Sequence, residues 1–337
     1  MKKILFLTTG GTIASTSSEE GLVPSMNSET LLQFLGDMKS SMSIDCFDLL
    51  CLDSSNIQPE EWVIMANKIY EVTKNKEVDG IVLTHGTDTM AYTASALSFM
   101  LENLPIPLIL TGSQLPLSHP LSDGYDNIRL AFTAAQDASL KGVYLAFNRK
   151  IMLGSRCVKV RTMGFDAFES VNEYSIAQLD ASGLIIRHDL LKQQTGPLRL
   201  HDQLCKDVFL LKLIPGMNPE ILDVLEKMNY RGIVIEAFGA GGIHFIRRDL
   251  IKKLENLCAK GVSVVVCSQC LYENSDFSLY QIGQKALKQG VIQAFDMTSE
   301  ACVTKLMWAL GKNDNIEEVR NAFQTNYVNE ITFVKEK

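Results

Sequence analysis

The stretch Ile4-Leu5-Phe6-Leu7-Thr8-Thr9-Gly10-Gly11-Thr12-Ile13-Ala14-Ser15 decides the fold: an apolar run breaks at two glycines into a threonine-bearing loop. A second stretch has the same plan, with Ile81-Val82-Leu83 entering Thr84-His85-Gly86-Thr87-Asp88-Thr89. Short apolar runs bounded by turn residues read as buried strands, and each loop leads toward a helix-like pattern. Two such units predict parallel strands with loops at their carboxyl ends, where α/β sheets place their ligand sites. The hydroxyls of Thr12 and Thr87 and the carboxylate of Asp88 are then expected in one crevice.

Outward from these segments, helix and strand signals alternate. Ser28 is placed to cap a helix carrying Leu31, Leu32, Phe34 and Leu35, and Pro59 suits the first turn of a helix with Trp62, Ile69 and Val72. Thr89 to Leu104 has a long helical pattern, and Pro107 to Leu110 and Val143 to Phe147 read as strands. Parallel βα units of this kind imply a sheet covered on both faces, a doubly wound, flavodoxin-like α/β domain over residues 1–186. A polar stretch at 187–207, containing Thr195-Gly196-Pro197, reads as an interdomain linker. Beyond it the pattern restarts, with strands at Val208 to Leu213, Gly232 to Ile235 and Val262 to Val266. Helices begin near Asn218-Pro219, Arg248 and Thr298, giving a smaller α/β domain over residues 208–337.

Composition narrows the function classes. The 337 residues, 46% hydrophobic, suffice for two domains with sizeable cores. A net charge of −7 disfavours partners bound by phosphate neutralisation, so nucleic acid is not expected as a ligand. Arg247-Arg248 and Lys252-Lys253 alternate with apolar residues and read as a solvated helix face. No stretch resembles a transmembrane span, and Met1-Lys2-Lys3 before Ile4 lacks the cleavage site of a signal peptide, so a cytoplasmic protein is expected. Five histidines show no metal-ligand spacing, and His85 reads as a loop hydrogen-bonder. Eight cysteines are spread widely and read as reduced, mostly buried thiols. Cys267-Ser268-Gln269-Cys270 has the C-x-x-C spacing, but no second pair completes a zinc site and its context is not thioredoxin-like.

Gly10-Gly11 matches neither phosphate-binding glycine pattern, and no lysine follows it. Read alone, the loop is accounted for by a tight turn with Thr12 as a helix N-cap. A third segment changes the balance. Ser155 to Phe168 reads Ser-Arg-Cys-Val-Lys-Val-Arg-Thr-Met-Gly-Phe-Asp-Ala-Phe and follows a strand-like run, so Lys159 is able to reach the same crevice. A threonine hydroxyl needs a neighbour to take its proton. Thr87, Lys159 and Asp88 supply a hydroxyl, an amine and a carboxylate to hold that amine.

Together these segments resemble a bacterial L-asparaginase of the cytoplasmic type I group. The resemblance rests on Thr-Gly-Gly-Thr-Ile-Ala, His-Gly-Thr-Asp-Thr-Met, Asp53-Ser54-Ser55, Thr111-Gly112-Ser113-Gln114 and Val-Lys-Val-Arg-Thr. It extends to Phe165-Asp166-Ala167-Phe168-Glu169-Ser170 and Asp296-Met297-Thr298, over nearly the whole chain. It implies Thr12 as the first nucleophile, with Thr87, Asp88 and Lys159 as a second catalytic cluster. It assigns Asp53, Ser54, Ser55, Thr87 and Asp88 to the substrate, Asp53, Ser54 and Ser55 holding the α-amino and α-carboxylate groups and Asp88 also meeting the ammonium. Turn amides near Gly11 and Gly86 would serve a developing oxyanion. The implied reaction is hydrolysis of L-asparagine to L-aspartate and ammonia through an acyl-enzyme, with no metal or organic cofactor and as a homodimer or homotetramer.

Two departures stand beside the resemblance. Leu22 occupies the place of a tyrosine that many asparaginases carry on a mobile loop, so Thr12 must be activated otherwise, by Lys159 through Thr87 or by a different tyrosine. In some type I relatives a second asparagine regulates activity. Cys270 matches that site, whereas Glu236 replaces an arginine and Val158 a threonine, so such activation is expected to be weak or absent. Two rivals remain: a glutamine-directed amidase of the same superfamily, disfavoured by the acidic balance and the lack of an added N-terminal domain, and an amino-acid sensor without turnover.

Overall fold

The computed structural model describes residues 1–18, 21–24, 26–192, 195–277 and 281–332, with side chains described outside 16–24 and 281–282. Two compact units emerge, Met1–Asp202 and Gln203–Lys337.

The first unit is built on β1 (Lys2–Gly10), β2 (Met42–Leu52), β3 (Gly80–Thr84), β4 (Pro107–Thr111) and β5 (Gly142–Phe147). These five are parallel in the order 2-1-3-4-5, the flavodoxin-like arrangement. Three antiparallel strands extend the sheet beyond β5: β6 (Lys150–Leu153), β7 (Ala177–Asp180) and β8 (Gly183–Ile186). The β5–β6 turn places Asn148 and Arg149 at φ 46° and 64°, the left-handed pair that a tight hairpin demands.

Alternation along the strands supplies both cores. Ile4, Phe6, Val82, Ile109 and Tyr144 pack with Ile128, Ala131 and Phe132 of a helix at Gly124–Ala135, and the Phe6 and Phe132 rings lie 5.3 Å apart. Leu5, Leu7, Ile81 and Leu83 point the other way and are equally buried. Among the helices of this unit is α1 (Pro59–Lys74), which starts with proline in its first turn and a Gln58/Glu61 capping box. It packs against α2 (Met90–Met100), buried on nearly every side.

Several expectations need correction. After Thr12 the chain makes only a 3₁₀ turn, Thr12–Ala14, and then an antiparallel pair, Ser15–Ser18 with Gly21–Pro24. Ser-Thr-Ser-Ser supplies no apolar helix face, and serine and threonine are residue types that favour caps and turns over helix interiors. The helix near Ser28 is capped not by Ser28 but by Asn27, whose side-chain oxygen accepts from the Thr30 amide, while the Ser28 amide donates to Asp48. The helix from Thr89 ends at Met100, where Leu101–Glu102 pairs with Arg199–Leu200.

The second unit is a parallel sheet of β9 (Val208–Lys212), β10 (Gly232–Ala237), β11 (Ser263–Ser268) and β12 (Ile292–Gln293) in sequential order. Glu220–Lys227 and Leu250–Ala259 cover one core, and Ser299–Lys312 packs on β9 to β11. Asp296-Met297-Thr298 has a structural use here: Thr298 caps Ser299–Lys312 through the Ala301 amide, and Asp296 accepts from the Thr332 amide. Lys305 and Glu330 form an ion pair with both side chains fully buried. Lys305 Nζ also donates to Thr325 O at 2.9 Å, and Glu330 accepts from the Tyr327 and Val328 amides. The pair thereby fastens the C-terminal segment to the last long helix.

Removing one partner strands a buried charge, whereas replacing both with apolar groups does not. Glu330→Gln is expected to lower stability by about 3–5 kcal/mol, and Lys305→Met with Glu330→Leu to recover most of that loss. Urea unfolding followed by tryptophan fluorescence reads both outcomes.

Candidate active site

The strand order reverses direction between β1 and β3, so the loops after these strands diverge from a topological switch point. Gly10 and Gly11 turn the first loop at φ 99° and 81°, conformations that favour glycine. A methyl group on Gly11 would overlap the Gly86 backbone, and one on Gly86 would sit 2.5 Å from Ser54 Oγ. Three loops therefore touch main chain to main chain or main chain to hydroxyl, and Thr12, Thr87 and Asp53–Ser55 belong to them. The Thr89 hydroxyl donates to Ser54 O at 2.7 Å, tying the β2 loop to the β3 loop.

Within this junction Lys159 Nζ donates to Thr87 Oγ1 at 2.8 Å and to Asp88 Oδ1 at 2.6 Å. Lys159 ends a short strand, Cys157–Lys159, that pairs with Phe168–Ser170, and its side chain is largely buried while Asp88 stays exposed. The ion pair is thus half in water and contributes mainly geometry. Thr87 in turn donates to Gln114 Oε1 at 3.2 Å. Thr12 is the first residue of its turn rather than the cap, a position taken by Gly11, so the N-cap reading of Thr12 fails. The Gly11 amide donates to Leu52 O and is not free for an oxyanion. Asp53 accepts from the amide and hydroxyl of Ser55 through Oδ1, while Ser54 is buried. The Leu22 side chain lies outside the described residues; its backbone belongs to Gly21–Pro24.

Beneath the loop runs a neutral chain of hydrogen bonds. Trp62 Nε1 donates to Thr93 Oγ1 at 2.9 Å, Thr93 Oγ1 lies 2.9 Å from His85 Nε2, and His85 Nδ1 lies 2.7 Å from Gly86 O. A carbonyl only accepts and an indole only donates, so the proton sits on Nδ1 and Nε2 accepts from Thr93. Full burial pushes the imidazole down to about 4, against a smaller opposing pull from the Gly86 carbonyl. His85 is a loop hydrogen-bonder with a defined duty: it holds the peptide that precedes Thr87.

Two family models match the chain, "Asparaginase, N-terminal" over residues 3–192 and "Glutaminase/Asparaginase C-terminal domain" over 207–323. The chain belongs to the asparaginase family. It is 43% identical over 331 residues to an L-asparaginase of Thermococcus kodakarensis, covering 98% of this chain and 99% of that one. A solved structure of the thermostable L-asparaginase from that organism superposes with a TM-score of 0.92 at 42% identity, covering 98% and 100%. L-asparaginase I from Vibrio cholerae O1 biovar eltor str. N16961 superposes with a TM-score of 0.85 at 31% identity, covering 98% and 99%. A glutamyl-tRNA(Gln) amidotransferase chain of Pyrococcus abyssi is 34% identical over 346 residues, covering 98% of this chain and 77% of that one.

Of the three positions that the resemblance compares with an effector site, Val158 is buried in the first unit, whereas Glu236 and Cys270 belong to the second. Glu236 accepts from Ser299 Oγ at 2.5 Å and lies 3.6 Å from Lys212 Nζ. No disulfide joins any of the eight cysteines, and Cys267 is buried while Cys270 is exposed. Among the described residues no cluster of three or more His, Cys, Asp or Glu is arranged to hold a metal, and no helix is long and apolar enough to cross a membrane. Sequence reading assigned no duty to Trp62, Thr93 or Thr89. Their signal is only polarity facing a core, visible once partners are known.

Two outcomes are expected. Gly11→Ala forces a methyl into the Gly86 backbone and an unfavourable φ, so ammonia release from L-asparagine should vanish or the protein fail to accumulate as a folded species. His85 titrates near 6.5 when unfolded and about 4 when folded. The unfolded state therefore binds more protons in that window, and stability should fall as pH drops from about 6.5 to about 4, by up to about 3 kcal/mol. Thermal melts across this range, with His85→Gln flattening the decline, read the effect.

Proposed function

We propose that this chain is an L-asparaginase that hydrolyses the side-chain amide of L-asparagine to L-aspartate and ammonia. The observation that carries the reading is Lys159 donating at once to the Thr87 hydroxyl and the Asp88 carboxylate, in a junction that also presents Thr12. The 43% identity to an L-asparaginase along the whole chain supports it.

In this proposal Thr12 Oγ attacks the amide carbonyl. A bond forms between Oγ and carbon, the C–N bond breaks, and the hydroxyl proton leaves with ammonia. Water then cleaves the ester, regenerating Thr12 and releasing the β-carboxylate of aspartate. Lys159 and Thr87 carry protons on the solvent side, with Asp88 orienting the amine. Asp53 and Asp88 meet the substrate ammonium, Ser54 and Ser55 its carboxylate, and the Thr12 and Thr87 amides are the turn donors for the oxyanion. The chemistry calls for no metal or organic cofactor. We also assign the chain to the cytoplasmic type I group, acting as a homodimer or homotetramer.

The likeness to an amidotransferase chain favours one second reading, an amidase directed at glutamine. One methylene separates the two substrates, a difference pockets discriminate by about 10- to 200-fold.

Ammonia release from L-asparagine and L-glutamine, measured side by side, decides. Asparagine should be preferred, and Thr12→Ala, Thr87→Ala and Lys159→Met should each lower kcat/KM by about 10²- to 10⁴-fold. A folded wild-type protein that binds asparagine without releasing ammonia would instead be a sensor, and glutamine preference would establish the second reading.

A further inference from the structure

Gln114 belongs to a motif whose side chain has no part in the reaction described above, yet it occupies a distinctive place. Its Oε1 accepts from Thr87 Oγ1 at 3.2 Å, and its Nε2 donates to Thr162 O and Gly164 O, each at 3.1 Å. Two carbonyl acceptors occupy both amide hydrogens, so the nitrogen and oxygen ends of the amide are assigned without ambiguity. Its backbone is equally fixed. The amides of Gln114 and Leu115 donate to the Asp123 carboxylate, which also accepts from Asn127 Nδ2.

The turn that grips the Gln114 amide follows directly on Lys159. Cys157–Lys159 pairs with Phe168–Ser170, and between them the turn is held by the Val160 amide on Ala167 O and by Arg161 on Asp166 and Glu169. Gln114 therefore closes a ring of contacts: Thr87 to Gln114, Gln114 to the 162–164 turn, the turn to Lys159, and Lys159 back to Thr87.

This ring fixes the direction of a proton. Thr87 Oγ1 has one hydrogen, which points to Gln114, and its lone pairs face Lys159 Nζ. Lys159 is thus the donor and Thr87 the acceptor in this state. The carbonyl of Gln114, braced by the turn, sets both the resting orientation of that hydroxyl and its position opposite the amine.

We propose that Gln114 is a positioning residue for Thr87, holding its hydroxyl in register with Lys159 and coupling that register to the Thr162–Gly164 turn. The proposal rests on the amidase reading above. It assigns Gln114 no contact with substrate, so its loss acts on turnover more than on substrate affinity.

The test compares wild type with Gln114→Met, which removes both functions of the amide, and Gln114→Glu, nearly isosteric, which keeps an acceptor for Thr87 but sets a carboxylate against two carbonyls. Initial rates of ammonia release give kcat and KM, and thermal melts monitor folding. Both variants are expected to lose roughly 3- to 10-fold in kcat, the worth of one neutral hydrogen bond, with KM within about twofold of wild type. Unchanged kcat in either folded variant overturns the proposal, as does a rise in KM alone, which would place Gln114 against the substrate. If Gln114→Met does not fold, Gln114→Glu decides by the same criteria. A wild-type protein that releases no ammonia overturns the amidase reading. An active wild type with unaffected variants overturns only the role of Gln114.

Discussion

The first unit depends on one close approach: the Gly11 and Gly86 backbones meet without room for a side chain between them. Strands β1 and β3 are neighbours, so their loops leave the sheet side by side, and only bare main chain lets the two turns close on each other. The next residue in each loop is a threonine. Residue 86 is further pressed by Ser54 from the β2 loop, so the contact recruits a third strand end. A single steric condition thereby gathers hydroxyls and carboxylates from segments widely separated in sequence.

Around this contact polar groups divide into two layers with different physics. Lys159 and Asp88 face solvent in part, where the ion pair is cheap to rearrange and adds little to stability. Below, the Trp62, Thr93 and His85 chain is buried, and each donor there meets an acceptor. In the proposed reaction the upper layer exchanges protons with bound substrate, whereas the lower one holds its shape.

Much of this was legible in the sequence because β1, β3 and β4 are apolar runs ending in glycine or threonine, and apolar strand-like runs alternate with helical patterns along the chain. A parallel, doubly wound core and the smaller second unit follow from that alternation. The β2 strand was not legible. It lies at a sheet edge, and Met42–Leu52 mixes exposed and half-buried positions without a clean period. Nor was the antiparallel extension, because its hairpin turns on Asn148-Arg149 rather than a glycine pair. In the junction itself, residue types pointed to Thr87, Asp88 and Lys159, since an amine, a hydroxyl and a carboxylate make chemical sense together. The N-cap reading of Thr12 failed because it presumed a helix that Ser15-Thr16-Ser17-Ser18 does not continue. Gln114 carried no chemical signal of its own, as an amide in a loop is ordinary until both of its ends have partners.

The buried chain beneath Thr87 begins at an indole, which can only give a proton, and ends at a carbonyl, which can only receive one. Its polarity cannot be reversed, and the imidazole in its middle cannot change tautomer without breaking a bond at each ring nitrogen. An imidazole beside reacting hydroxyls is ordinarily the first choice for a proton shuttle. Here it is sealed out of that traffic; in the proposed reaction the shuttle is the Lys159 amine on the wetter side, so the stationary protons of the fold stand apart from the mobile ones.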